Sequence, residues 1–234
     1  MYTFESRIRY SEVDEQQKLT LPALLDYFQD CSTFQSDDLG VGMDYLISLN
    51  LAWVLNSWQI DVERFPKEGE RVRIGTIPYM LKGPLGYRNF FMEDLEGNRL
   101  ASAATVWTLL NMERGVPTNA PAEVLKAYPI EEKLDMEYLP RKIKFEGEGT
   151  KLESVTVSKH HLDANHHVNN GQYVRMAMEL VPEGIDPHRL RVEYKAQAKL
   201  GYEIYPVYYK GENTHVVSLN DAEGNPYAVV EFTV

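Results

Sequence analysis

The sequence predicts an α+β protein made of two similar units, each with one long helix packed on an antiparallel sheet. Two observations favour this prediction. Short segments recur in the same order in the two halves of the chain, and each half continues from an amphipathic helix into strands separated by turns. A length of 234 residues, with 44% hydrophobic and 25% charged residues, suits one large or two small globular domains.

The duplication is indicated by three pairs of matching segments. They are Asp14 with Asp163 before a helical pattern, Gly69 with Gly201 before a strand pattern, and Asp94–Asn98 with Asp221–Asn225 in a turn. The separation within the pairs falls from 149 to 132 to 127 residues, so the first copy contains extra residues. We therefore predict copies at residues 1–134 and 151–234, joined by a polar linker over residues 135–150.

The first copy opens with a predicted strand, Phe4–Tyr10. Thr20 caps the following helix, which has Pro22 in its first turn and ends at Gly40. Four strands follow, over Leu51–Val62, Arg71–Tyr79, Tyr87–Asp94 and Arg99–Leu110.

The second copy repeats this order, with a strand over Glu153–Lys159 and a helix over Asn170–Leu180. Its four later strands are predicted at Leu190–Ala198, Tyr202–Tyr209, Thr214–Leu219 and Tyr227–Val234. Because hairpin turns connect these strands, the helix is not a crossover between parallel strands and packs instead on one face of a curved antiparallel sheet. This is the hotdog arrangement, and the chain is predicted to be a tandem (double) hotdog.

The charge and the termini exclude several classes of partner. Lys and Arg total 24 against 35 Asp and Glu, a net charge of −11, which disfavours general binding to nucleic acid or to an anionic membrane. The sequence contains no apolar run of membrane-spanning length, and its first residues do not resemble a secretory signal. With only one cysteine, the chain is expected to be cytoplasmic.

No metal and no cofactor are expected. The sequence lacks the glycine-rich nucleotide motifs and the serine-hydrolase motif, and its clustered histidines occur without an HExxH string or a cysteine pair. His160 and His161 are predicted to be strand residues, and His166 is predicted to be exposed. Cys31 lies in the apolar stripe of the first helix and is predicted to be a core residue. A catalytic thiol is disfavoured there, because all six histidines lie at position 160 or later and none is in its half of the chain.

Residues 163–171, which enter the second helix, contain the groups best suited to catalysis. An acid, Asp163, and an imidazole, His167, lie among asparagines beside a helix N-terminus. The free N–H groups and positive dipole end of a helix can stabilise a carbonyl oxygen as it becomes negative, and an imidazole or carboxylate there can activate water. The first copy keeps Asp14 but has Lys18 in place of His167, so only the second copy is predicted to be catalytic.

The same residues resemble a known family. The string Leu162-Asp163-x-Asn165-x-His167-Val168-Asn169-Asn170-x-x-Tyr173 is similar to the catalytic segment of the acyl-ACP thioesterases of plants and bacteria. Val192-Glu193-Tyr194-Lys195 resembles that family's Glu-Tyr-Arg-Arg stretch. The resemblance covers nearly the whole chain and implies a double hotdog hydrolase that releases free fatty acid from acyl carrier protein.

The resemblance also implies roles for matching positions. Asp163, Asn165 and His167 stand at the places of the family's catalytic Asp, Asn and His. Gln197 stands where the plant enzymes have glutamate, and Ala198 where they have cysteine. A thiol nucleophile is therefore excluded at that point, and the amide of Gln197 cannot remove a proton.

The residues suggest direct attack of water on a thioester. Asn165 and the helix N–H groups would polarise the carbonyl, while Gln197 would position the water. Either His167, oriented by Asp163, or Asp163 itself would act as general base, and the sequence leaves this choice open.

Further residues are predicted to contact the substrate or its carrier. Asn169 and Asn170 are expected to bind substrate, and at least one of them to cap the helix. By resemblance the first copy would hold the acyl chain, with Phe28, Trp53, Leu55, Trp58 and Met80 as candidate lining residues. The candidate docking surface for acyl carrier protein consists of Arg189, Arg191, Lys195 and Lys199.

Two other functions compete with acyl-ACP hydrolysis. The first is hydrolysis of acyl-CoA by a hotdog thioesterase, which is the same reaction with coenzyme A in place of acyl carrier protein. The second is a non-catalytic module, in which the loop binds an acyl thioester without hydrolysing it. A hotdog dehydratase is disfavoured because the first copy has no HxxxxPxxP-like segment. Whether the chain forms a homodimer stays open, since the two copies already supply the usual hotdog pairing.

Overall fold

The computed structural model describes residues 1–163 and 166–234, and the chain forms two compact units. The first comprises residues 1–56 and 60–138, and the second comprises residues 57–59 and 139–234. Both units are α+β, as the sequence predicts, and each has one long helix beside an antiparallel sheet.

The first unit is built around one long helix and a five-stranded sheet. Its helices are α1 (Leu21–Asp38), α2 (Met43–Ser48) and α3 (Ala122–Ala127). Its strands are β1 (Tyr2–Arg7), β2 (Leu51–Val62), β3 (Arg71–Lys82), β4 (Leu85–Asp94), β5 (Arg99–Asn111) and the two-residue β6 (Val116–Pro117). The sheet order is β1-β3-β4-β5-β2, and β6 pairs with β5.

Helix α1 begins and ends at the residues that the sequence indicates. The hydroxyl oxygen of Thr20 accepts the N–H of Ala23 at 3.3 Å, which satisfies one free donor of the first turn. Gly40, with a φ of 72°, takes the left-handed conformation that follows many helices. Between these ends, the fully buried Phe28 packs against Phe90 of β4 at a ring separation of 5.5 Å.

The second unit has the same plan with shorter elements. Its helix is α4 (Asn170–Leu180). Its strands are β7 (Thr150–Lys151), β8 (Val155–Thr156), β9 (Arg189–Tyr194), β10 (Glu203–Lys210), β11 (Thr214–Asn220) and β12 (Pro226–Thr233). The sheet order is β9-β12-β11-β10-β7, β8 also pairs with β10, and α4 packs on β11 and β12.

The matching turns in the two units have the same hydrogen bonds. A carboxylate oxygen of Asp94 accepts the N–H of Asn98 at 2.9 Å, and Asp221 does the same for Asn225 at 2.7 Å. The side-chain amide of each asparagine also donates to its aspartate. These bonds lower the pKa of both aspartates. The duplication read from the sequence therefore appears in the backbone.

Two strand predictions in the second copy are wrong in extent. The strand predicted over Glu153–Lys159 is formed only at Val155–Thr156, because residues Lys159–His161 fold into a 3-10 turn. The strand predicted over Leu190–Ala198 ends at Tyr194. The helices α2 and α3, at six residues each, are too short to produce a clear helical pattern and were not predicted.

Residues 129–149 form neither helix nor strand, yet part of this segment is anchored within the second unit. The guanidinium of Arg191 donates to the carbonyl of Pro140 at 2.6 Å, and the N–H of Ile143 donates to Glu193 at 3.3 Å. Within the described residues, no helix is both long and apolar enough to cross a membrane.

Candidate active site

The predicted catalytic loop is closed by backbone pairing between Leu162 and Val168. Inside it, the N–H of Asp163 donates to the carbonyl of His167 at 2.8 Å. The N–H of His167 donates back to a carboxylate oxygen of Asp163 at 3.2 Å. The acid and the imidazole that the sequence singles out therefore lie at the two ends of one tight turn, and both residues are half-buried.

The turn depends on a left-handed residue, His166, whose φ is 62°. His166 is exposed, as predicted. Asn165, predicted to polarise the thioester carbonyl, lies outside the described residues, and its role stays a prediction.

The loop leads directly into the N-terminus of α4. Asn169 is the N-cap, and its side-chain oxygen accepts the N–H of Gly171 at 2.8 Å. The N–H of Asn169 donates to the carbonyl of His161 at 2.9 Å. Asn170 begins the helix, and its carbonyl accepts the hydroxyl of Tyr194 at 2.9 Å. The prediction that one of the two asparagines caps the helix is confirmed for Asn169.

A β-bulge ends strand β9 beside the loop. The N–H groups of Lys195 and Ala196 both donate to the carbonyl of Tyr227, at 2.8 and 3.2 Å. Two residues thus face one on the neighbouring strand, an arrangement that bends a strand and redirects the residues after it. This is why Gln197 lies beyond the end of the strand on which it was predicted.

The redirected segment pairs with the catalytic loop. The N–H of Val168 donates to the carbonyl of Ala198 at 3.1 Å, and Lys199 forms an isolated bridge with His167. Gln197, which precedes these paired residues, is exposed. The structure therefore brings the segment containing Gln197 beside the loop containing Asp163 and His167.

A buried phenol supports the same segment. The hydroxyl of Tyr173, on α4, accepts the N–H of Ala198 at 3.0 Å. Burial raises the pKa of Tyr173 to about 12, so the phenol stays protonated and is not a general base near neutral pH. The sequence includes Tyr173 in the family-like string but does not reveal this bond, although a buried tyrosine ordinarily needs a polar partner.

His161 closes the turn that precedes the loop. Its Nδ1 accepts the N–H of Ser158 at 3.0 Å, so Nδ1 is unprotonated and the ring is neutral with its proton on Nε2. Burial and the neighbouring His160 lower the pKa of His161. His160 and His161 were predicted on a strand, which is wrong, because they lie in the 3-10 turn that this bond closes.

Among the residues that the structure describes, neither Cys31 nor any histidine belongs to a cluster of metal-ligating side chains. Cys31 is fully buried, and burial raises its pKa to about 12, which confirms its place in the core. In residues 1–163 and 166–234, no three His, Cys, Asp or Glu side chains are grouped as a metal site would need.

The predicted acyl-chain residues differ in their surroundings. Trp58 and Leu55 are buried like Phe28, whereas Met80 is exposed. Trp53 is half-buried against the apolar cluster of the first unit that includes Leu51 and Leu109. Trp58 belongs to the second unit, because residues 57–59 in the middle of β2 are grouped with it.

The predicted docking cations also differ in their availability. The guanidinium of Arg191 pairs with Glu231 at 2.7 Å as well as with the carbonyl of Pro140, and its side chain is only 13% exposed. Lys195 pairs with Glu193 at 2.8 Å, while Lys199 is exposed. Arg189 is half-buried at the start of β9. Arg191 therefore has a structural role within the unit.

Comparison with solved structures identifies the fold. An acyl-ACP thioesterase from Bacteroides thetaiotaomicron superposes with a TM-score of 0.90 at 22% identity, covering 99% of this chain and 96% of that one. The 12:0-ACP thioesterase of Umbellularia californica gives a TM-score of 0.86 at 20% identity, covering 99% and 96%. The fold is thus the double hotdog of thioesterases, as predicted.

Sequence comparison then identifies the family. Residues 1–128 match the acyl-ACP thioesterase N-terminal domain, and residues 145–225 match the acyl-ACP thioesterase C-terminal domain. The chain belongs to the acyl-ACP thioesterase family. It is 26% identical over 211 residues to a chloroplast acyl-acyl carrier protein hydrolase of Cuphea viscosissima, covering 81% of this chain and 49% of the relative. The chain spans about half the length of the curated relatives it matches.

Proposed function

We propose that this protein hydrolyses the thioester of acyl-acyl carrier protein and releases a free fatty acid. The observation that supports this most directly is the turn of the second unit, in which Asp163 and His167 are hydrogen-bonded at the N-terminus of α4. Membership of the acyl-ACP thioesterase family supports the thioester substrate and the carrier.

Hydrolysis here requires only water and the chain's own groups. Water adds to the thioester carbonyl as a base removes its proton, and the oxygen of the carbonyl becomes negative beside the N-terminus of α4. The C–S bond then breaks, and the thiol of the carrier's phosphopantetheine leaves with the proton. In this scheme Asn165 polarises the carbonyl and Gln197 positions the water.

The first unit helps to choose the base. Asp14 accepts the N–H of Lys18 at 3.0 Å, as Asp163 accepts that of His167, in a loop that has no imidazole. The aspartate therefore has a folding role that is independent of catalysis. This favours His167 as the general base, with Asp163 holding the loop and orienting the ring.

The remaining assignments are part of the same proposal. The first unit, residues 1–134, holds the acyl chain near Phe28 and Trp53, and residues 135–150 link it to the catalytic unit, residues 151–234. Lys199 and Lys195 offer the cations for an acidic carrier protein, because both are exposed whereas Arg191 is mostly buried and bonded within the fold. The protein would work in the cytoplasm, as a monomer or a homodimer.

The test is thiol release from a panel of acyl-ACP and acyl-CoA substrates, C8 to C18, by the wild type and His167→Ala. General-base loss is expected to lower the rate by about 10²–10⁴ while the protein stays folded. Lys18→Ala, at the equivalent position of the first unit, is the matched control and should keep wild-type activity.

The outcomes separate the competing functions. Rapid cleavage of acyl-ACP with slow cleavage of acyl-CoA supports the proposal. Equal cleavage of both indicates a general thioesterase, for which the docking lysines have no role. Acyl binding without any hydrolysis indicates a binding module and contradicts the proposed function.

A further inference from the structure

Tyr173 connects helix α4 to the segment that contains Gln197. Its hydroxyl accepts the N–H of Ala198 at 3.0 Å, and the two residues are 2% and 0% exposed. The carbonyl of Ala198 in turn accepts the N–H of Val168, in the catalytic loop, at 3.1 Å. One phenol thus joins the helix, the segment after β9 and the loop.

The hydrogen bond to Tyr173 satisfies the buried backbone N–H of Ala198. Ala198 is fully buried, so its N–H cannot be satisfied by bulk water, and a buried N–H without an acceptor is costly. Within the described chain, the acceptor for this N–H is the Tyr173 hydroxyl. Without it, the segment would have to move to find another partner, and it would take Gln197 with it.

At the equivalent positions of the first unit, both the N–H donor and the hydroxyl acceptor of this hydrogen bond are missing. The residue equivalent to Ala198 is Pro66, whose carbonyl accepts the N–H of Leu19 at 2.9 Å, as Ala198 does for Val168. The residue equivalent to Tyr173 is Leu24. Proline has no N–H, so no hydroxyl is required opposite it. The hydroxyl is present only in the unit that has the imidazole.

We infer that Tyr173 is a positioning residue: it holds the Ala196–Ala198 segment, and with it Gln197, in register with the catalytic loop without touching the substrate. The kinetic consequence of this inference rests on the proposed function. The structural consequence rests on the hydrogen bonds alone.

The first test is Tyr173→Phe, which removes only the hydroxyl. Well below the melting temperature, kcat is expected to fall about tenfold with KM within about twofold, because misplacement of a reacting group affects the chemical step. Amide hydrogen exchange at Val168 and over residues 195–199 is expected to become faster. A purely structural role would lower the melting temperature and leave kcat unchanged.

The matched control is Tyr27→Phe in the first unit. Tyr27 is also a buried helix phenol, and its hydroxyl donates to Glu12 at 2.7 Å beside the equivalent loop. Tyr27→Phe is expected to destabilise the protein without changing kcat or the exchange of the Val168 amide.

The second test is rescue by Ala198→Pro in the Tyr173→Phe background, which removes the orphaned N–H as the first unit does. Recovery of kcat to within about threefold of wild type, with restored protection of Val168, supports the inference. Wild-type kcat and exchange in Tyr173→Phe, or no recovery in the double variant, overturns it.

The positioning role of Tyr173 can be tested even if the proposed function is wrong or the single variant does not fold. If the wild type hydrolyses no thioester, the proposed function fails, and exchange at Val168 in Tyr173→Phe still decides the positioning role. If Tyr173→Phe does not fold, a folded double variant supports the inference and an unfolded one contradicts it.

Discussion

In their described residues, the loops that enter α1 and α4 have matching hydrogen bonds and different chemistry. In the first unit the N–H of Asp14 donates to the carbonyl of Lys18 at 2.9 Å, and the corresponding bond from Asp163 to His167 is 2.8 Å. In each loop the aspartate carboxylate accepts the N–H of the fourth residue after it. The lysine and the histidine are both half-buried.

The likeness extends to the residues around the loops. The left-handed residues are Gln17 and His166, with φ of 61° and 62°. The helix caps are Thr20 and Asn169, in matching positions. What differs is the imidazole, the amide of Gln197 and the buried phenol that accepts the N–H of Ala198. The comparison indicates that the turn and its aspartate serve folding, whereas the imidazole and the Gln197 amide, confined to the second unit, are the candidates for catalysis.

The largest effect is expected when the imidazole of the second loop is replaced by the lysine of the first loop. His167→Lys places in the second loop a side chain that the first loop already accommodates at Lys18. We expect hydrolysis to fall by about 10²–10⁴ while the free energy of unfolding stays near that of wild type. Thiol release and urea unfolding measure the two effects.

The reciprocal exchange, Lys18→His, is its control and should change neither quantity. A His167→Lys protein that keeps more than a tenth of the wild-type rate would contradict the assignment of the base to His167.

The two helix caps offer a smaller and more symmetrical comparison. Thr20→Ala and Asn169→Ala each remove the side-chain oxygen that accepts a first-turn N–H. Each should lower the free energy of unfolding by about 1 kcal/mol. Only Asn169→Ala is expected to lower kcat as well, because its helix N-terminus is the candidate oxyanion site. Equal loss of kcat in both variants would show that the cap acts on activity through global stability.

The smallest expected effect concerns the 3-10 turns that precede the loops, Tyr10–Glu12 in the first unit and Lys159–His161 in the second. In the first unit a carboxylate oxygen of Glu12 accepts the N–H of Arg9 at 2.8 Å. In the second unit Nδ1 of His161 accepts the N–H of Ser158 at 3.0 Å. Protonation of the imidazole removes this acceptor, so the second turn alone should be sensitive to mildly acidic pH.

The direction of this effect follows from the lowered pKa of His161. The unfolded chain, with a pKa of about 6.5, binds a proton before the folded chain does. The stability contribution is therefore complete above about pH 6.5 and decreases as the pH falls below that value. His161→Gln retains a neutral acceptor and should not show the decrease.

Urea unfolding of wild type and His161→Gln at pH 8 and pH 5.5 measures the difference in their free energies of unfolding. Other titrating groups, such as His215, contribute equally to both proteins and cancel in this difference. If the difference in free energy of unfolding is the same at both pH values, protonation of His161 does not disturb the turn, and the prediction is wrong. His160 and Glu179, the neighbouring groups that influence the pKa of His161, are present in both proteins.

The parts of this protein that the sequence predicts well are local. The Thr20 cap and the strand Leu51–Val62 lie where the sequence indicates them, and helix α4 has the predicted bounds, Asn170–Leu180. Caps, turns and periodic apolar faces depend on residues close together in the chain, so they can be read without knowing what packs against them. The candidate catalytic loop can be read from the sequence for the same reason, since its acid and imidazole are four residues apart.

Tertiary structure alone decides where β9 ends and what holds the segment beyond it. The bulge opposite Tyr227 and the bond from Ala198 to Tyr173, 25 residues away, depend on which N–H meets which acceptor after the sheet and helix have packed. By itself, the sequence predicted the duplication, the fold class and the residues of the loop that are candidates for catalysis. The placement of the segment containing Gln197 and the hydrogen bond from Ala198 to the Tyr173 hydroxyl depend on packing, because a buried N–H takes its partner from whatever side chain the fold brings within reach.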